Sequence, residues 1–159
     1  MPMIRGALRF PPTAPPNLPS WLALPWIDVV IRVPTLGIEE PFTMMVDTGS
    51  DITALHVRDV PRLGKRGYRL VRQSSNSRKS TGIGRLATYF GIPAQAVFEH
   101  EDSTLEEYDF DFWVAKPARK GSRRLATQLK IPSVLGRDLL HHFRMVMDYS
   151  NNQLFFDHN

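Results

Sequence analysis

The chain contains no cysteine, which excludes disulfides, zinc–thiolate sites and cysteine nucleophiles together. Its chemistry must therefore come from oxygen and nitrogen groups. It also lacks any apolar run of the roughly 18 residues that a membrane-spanning helix needs, and its first residues lack the continuous apolar stretch of a secretory signal. A cytoplasmic protein that meets no membrane is the expectation. Charge imbalance is mild: the net charge of +4 rests largely on Lys65-Arg66, Arg78-Lys79, Arg119-Lys120 and Arg123-Arg124. These pairs read as solvated loop residues, so nucleic acid is not an expected partner. Internal repeats are missing too, which removes solenoids and propellers.

What is present fits one folded domain, because 159 residues allow one real hydrophobic core and are too few for two domains of ordinary size. Residues 1–25 hold seven prolines, and proline fixes φ and removes a backbone donor. That segment reads as an extended arm preceding a domain over 26–159. From Trp26 to Val33 the pattern alternates, with Ile27, Val29, Ile31 and Val33 on one face and Asp28 and Arg32 on the other. After a turn containing Gly37, Phe42 to Val46 forms a second strand, and the two read as a hairpin. Gly67 to Arg72 and Leu86 to Phe90 are short strand candidates. Tyr108 to Val114 alternates again, with Tyr108, Phe110, Phe112 and Val114 on one face and Asp109 and Asp111 on the other. Arg144 to Tyr149 and Gln153 to Phe156 flank Ser150, Asn151 and Asn152, a turn in which Asn tolerates positive φ. One short helix is expected after Gly136, where Arg137 to Phe143 has good helix formers and no β-branched residue. The domain is therefore mainly β.

The segment Met44-Met45-Val46-Asp47-Thr48-Gly49-Ser50 places a carboxylate immediately after an apolar strand, in a turn whose glycine lets other backbone approach closely. A half-buried carboxylate needs donors, a cation or a second carboxylate with which to share a proton.

Asp47-Thr48-Gly49-Ser50 after an apolar strand resembles the active-site motif of retroviral-type, or retropepsin-like, aspartic proteases. Ser80-Thr81-Gly82-Ile83-Gly84 resembles the glycine-rich tip of that family's substrate-covering flap. Val134-Leu135-Gly136-Arg137-Asp138-Leu139-Leu140 resembles its apolar-apolar-Gly segment and following short helix. The three occur in the family's order, and the resemblance spans Trp26 to Phe156. It implies an all-β, closed barrel-like domain with one short C-terminal helix that works as a symmetric homodimer. Each subunit would contribute one Asp47 to a pair that activates a water and hydrolyses a peptide bond in an extended polypeptide. No cofactor or metal is implied. By the same resemblance, Thr48 would bond across the dimer, Gly49 would admit substrate backbone and Ser50 would donate to the carboxylates. Gly82, Ile83 and Gly84 would cover the substrate. Asp51 and Arg137 would form a charge-assisted pair tying the catalytic loop to the helix start. The chain departs from the family at Arg85, where the flap often has another glycine, and in its proline-rich arm.

Other features have plainer readings. His141-His142 sit at adjacent helical positions, which point about 100° apart and cannot chelate one ion by themselves. Phe110, Phe112 and Trp113 read as the aromatic face of a packed strand. The competing functional reading is a non-catalytic, protease-like module that binds peptides or dimerises without cutting, since a fold does not fix a function.

Overall fold

The computed structural model describes residues 3–10, 14–74, 76–82 and 85–158. The molecule is mainly β. Strands β1 (Ile4–Arg5), β2 (Ala7–Arg9), β3 (Leu24–Val33), β4 (Ile38–Val46) and β5 (Ala54–Leu55) precede helix α1 (Gly64–Ser74). Then come β6 (Asn76–Gly82), β7 (Arg85–Glu99), β8 (Leu105–Ala115), helix α2 (Arg123–Gln128), β9 (Val134–Leu135), helix α3 (Arg137–Leu140), β10 (Phe143–Asp148) and β11 (Gln153–His158). Eight strands form one sheet in the order β2-β3-β4-β9-β5-β8-β7-β6, and β3 also pairs with β7, so the sheet closes on itself. The other three form a smaller sheet, β1-β11-β10.

The alternation read from β3 is realised: Ile27, Val29, Ile31 and Val33 are buried while Asp28 is exposed. They meet Phe42, Met44 and Val46 of β4, Phe112 and Val114 of β8, and Phe98 of β7 in one continuous core. Each such side chain, fully removed from water, contributes about 1.5–3 kcal/mol, which is why the strand faces specify their register. β3 and β4 pair antiparallel from Trp26 with Met45 to Val33 with Ile38. The β10–β11 hairpin also forms as expected, with Asn152 at φ 54° in its turn.

β7 runs far beyond the short strand expected at Leu86 to Phe90. On one side it pairs with β8 along its length from Tyr89 to Glu99; on the other it pairs with β6 up to Gly91 and with β3 from Gln95. Pro93 falls in the gap between those two partners, where a strand residue without an N–H costs no ladder bond.

Three expectations need correction. Gly67 to Arg72 is not a strand but the middle of α1. Its buried positions are Gly67 and Val71, one helical turn apart, and Tyr68 lies edge-on to Phe90 at 6.4 Å. Lys65, Arg66, Arg69 and Arg72 have long side chains that favour helix and stay hydrated. The helix after Gly136 is shorter than expected, and among the described residues it is one of three α-helices rather than the only one. Finally, the described residues of the segment expected as an extended arm include two short strands and a 3-10 turn at Ser20–Leu22, and both strands pair with the domain. β1 pairs with β11, β2 pairs with β3, and both Ile4 and Leu8 belong to the core. Gly6 makes the passage between the two sheets, where an added Cβ would lie 2.5 Å from the Leu154 side chain and 2.7 Å from the Trp26 carbonyl oxygen.

Candidate active site

β4 delivers Asp47 to the point where the strand ends. The short parallel pairing of β4 with β9 continues one residue further, as the Asp47 N–H donates to the Leu135 carbonyl at 3.0 Å. The chain then turns: Ser50 N–H reaches back to the Asp47 carbonyl at 3.1 Å, and Gly49 N–H donates to Asp47 Oδ1 at 2.9 Å. Asp47 is half-buried, while Thr48 and Gly49 are exposed beside it. The carboxylate is thus oriented by its own loop with one face left open.

A second strap fixes the loop from below. Arg137 N–H donates to the Ser50 carbonyl at 2.8 Å, and Gly136 N–H donates to Thr53 Oγ1 at 3.0 Å. Thr53 is buried, and its N–H and hydroxyl both donate to the Asp138 carboxylate, at 2.9 and 2.7 Å. Gly136 passes so close to the loop that a Cβ would lie 2.3 Å from the Ile52 carbonyl oxygen. That explains why the apolar-apolar-Gly segment needs its glycine.

Of the residues singled out from sequence, Asp47, Thr48, Gly49, Ser50, Asp51 and Arg137 lie on this crossing of loop and helix start. The Arg137 guanidinium donates to the Asp51 carboxylate, and both side chains are largely exposed in the single chain, at 61% and 73%. Ser50 differs from expectation: its hydroxyl donates to the Ile52 carbonyl at 2.7 Å rather than to a carboxylate. Gly82 ends β6 and pairs with Arg85 across the hairpin, whereas Ile83 and Gly84 lie outside the described residues.

Sequence reading missed Thr53 and Asp138, the polar pair that holds the strap. The only hint was a carboxylate directly after Arg137, at the start of a helix. It also missed a small apolar cluster formed by Ala54, Val57, Tyr89, Ala115 and Val134, flanked by half-buried Met45, Ile52, Ala87, Trp113 and Leu125. Met45 and Ile52 stand on either side of the Asp47 turn, so this cluster adjoins the loop. At its edge His56 Nδ1 lies 2.6 Å from the Pro132 carbonyl and Nε2 lies 3.1 Å from the Tyr89 hydroxyl. A carbonyl only accepts, so Nδ1 carries the proton and Nε2 accepts from Tyr89. Burial pushes the His56 pKa down, opposed by the Pro132 bond, and pushes that of Tyr89 up.

Phe112 is buried in the core, as its aromatic strand pattern implied. His142 stacks on Tyr108 with ring centroids 4.2 Å apart, while His141 is exposed. Among the described residues no helix is long and apolar enough to cross a membrane. Comparison with protein-family models and with curated proteins finds no match to this chain.

Proposed function

We propose that the protein is a retropepsin-like aspartic endopeptidase, active as a homodimer in which each subunit supplies one Asp47. The observation that carries this reading is the Asp47 turn itself. A half-buried carboxylate is held by the Gly49 N–H, with one open face, on a loop strapped to the segment Leu135-Gly136-Arg137. One such loop offers one carboxylate, and hydrolysis without a covalent intermediate needs two groups: one to take the proton of water and one to protonate the scissile carbonyl. A two-fold axis beside the loop supplies the second from an identical chain.

Other features support the assembly and the substrate class. β10 is an edge of the smaller sheet and exposes Val146 and Met147, an apolar strand edge of the kind that proteins ordinarily cover. The apolar cluster beside the Asp47 turn offers half-buried surface to substrate side chains. β6 is the last strand in the order of the larger sheet, an edge along which an extended peptide can lie as an added strand.

The test is to incubate the protein with a diverse peptide mixture, alongside Asp47→Asn and a dilution series. The variant keeps the shape of the carboxylate but cannot act as base, so cleavage should be abolished with fold and dimer retained. Specific activity should fall on dilution below the dimer dissociation constant. Undiminished cleavage by Asp47→Asn, or activity independent of concentration far below that constant, would refute the assignment.

A further inference from the structure

A second cluster of chemically capable groups lies away from Asp47, where β11 meets the end of the β7–β8 hairpin. His100 directly follows β7 and forms an isolated bridge with Ile4; Glu106 lies at the start of β8; His158 ends β11. His100 Nε2 is 2.8 Å and His158 Nε2 is 3.0 Å from the same oxygen, Glu106 Oε2. All three candidate donor atoms lie within 4.8 Å of one another.

We infer that His100, Glu106 and His158 form a binding site for a divalent transition cation of the zinc class. Two imidazoles and one carboxylate are a donor set that such ions favour over magnesium or calcium, which prefer oxygen. Bonds of about 2.0–2.2 Å in a tetrahedral shell set neighbouring donors roughly 3.4 Å apart, so binding opens the two N–O separations, now 2.8 and 3.0 Å, by about half an ångström. The cation takes the lone pairs of the two Nε2 atoms, and each imidazole proton then resides on Nδ1. Both ring nitrogens already converge on one carboxylate oxygen, and a small rotation of the exposed His158 ring closes the remaining side of the triangle.

The surroundings prepare the site further. The Tyr108 hydroxyl donates to the other carboxylate oxygen, Glu106 Oε1, so the ligating oxygen is aimed by its partner, as outer-shell bonds do in known metal centres. Tyr108 is itself held by stacking on His142. His100 is buried and His158 is exposed, which gives an anchored ligand inside and an entry path from solvent. Three protein donors leave at least one position for water. Two ligands, His100 and Glu106, flank the β7–β8 turn and the third, His158, comes from the distant strand β11, so the ion acts as a clip that fastens that strand to the hairpin.

The test uses untagged protein stripped with chelator and then titrated with Zn²⁺ by calorimetry and thermal unfolding. The expected result is one Zn²⁺ per chain and a melting temperature raised by roughly 5–10 °C at a hundredfold excess over the dissociation constant. His158→Ala alters an exposed residue and should fold normally; it and Glu106→Gln should each weaken binding at least tenfold and cut the thermal shift at the same Zn²⁺ concentration by about half or more. His141→Ala should preserve both responses. Failure of the stripped wild-type protein to take up Zn²⁺ saturably, or equally tight uptake by His158→Ala, would overturn the inference.

Discussion

Thr53 and Asp138 share two hydrogen bonds, from the threonine N–H and from its hydroxyl, across 85 residues of sequence. The same hydroxyl oxygen accepts the Gly136 N–H, so one buried side chain fastens the Asp47 loop to the start of α3. Replacing it with valine preserves the shape and removes an acceptor and a donor at once. Thr53→Val is predicted to cost about 1–3 kcal/mol, because the buried Gly136 N–H loses its acceptor while Asp138 Oδ1, which keeps the Leu139 N–H, loses one of its two donors. Urea unfolding measures this; a loss below about 0.5 kcal/mol would show the bonds to be dispensable.

Gly136→Ala tests the close crossing. The added Cβ would meet backbone, the Ile52 carbonyl oxygen at 2.3 Å, and backbone cannot swing aside as a flexible side chain can. The expected loss is about 3 kcal/mol; on the proposed protease function, peptide cleavage should fall further than the folded fraction because the displaced loop carries Asp47. Unfolding curves and activity on the same sample separate the two effects.

The Arg137–Asp51 pair is predicted to contribute little to the single chain. Both side chains are mostly in water, and exposed ion pairs couple by about 0.2–1 kcal/mol. A double-mutant cycle of Arg137→Ala and Asp51→Ala on unfolding should return a coupling in that range. On the proposed homodimer, the same cycle on the dissociation constant should return a larger one, since pairing about the Asp47 loop would remove the two side chains from solvent. Equal couplings would place the pair outside the dimer contact.

His56 gives a prediction in pH. Burial holds its folded pKa below the ordinary value, so as pH falls through about 6.5 the unfolded chain binds a proton that the folded chain refuses. Stability should be insensitive to this group above that pH and decline below it. In His56→Gln the slope of unfolding free energy between about pH 6.5 and 5 should be shallower than in wild type, by up to about 1.4 kcal/mol per pH unit. An unchanged slope would mean that His56 ionises equally in both states.

How far the sequence could be read depended on the range of the interactions involved. β3 was legible because a single strand carries its own period of two, and the Asp47 turn because its residues are contiguous. The β10–β11 turn was legible from its asparagines. α1 was misread because its buried positions, Gly67 and Val71, include a glycine, which gives a hydrophobicity pattern almost nothing to register. β7 was cut short because glycine and proline at 91 and 93 look like breakers unless the switch of partner strands is known. The fixed ends of the proline-rich segment depend on partners more than a hundred residues away at β11 and on the inner edge at β3. The Thr53–Asp138 bonds and the His100–Glu106–His158 cluster are likewise products of tertiary closure, and no local pattern announces them.

The pairing of Ile4 with Phe156 has a consequence for how the molecule is made. During synthesis β1 is made well before its partner β11, because nine other strands are translated between them. Ile4 therefore lacks that partner while the intervening strands are added, and the smaller sheet can close only after β11 has left the ribosome. Bringing such distant segments together carries the loop-closure entropy of a very long loop, so this sheet should form late and slowly. Until then β1 and β11 are open edges in a crowded compartment, able to capture each other's counterparts on neighbouring nascent chains.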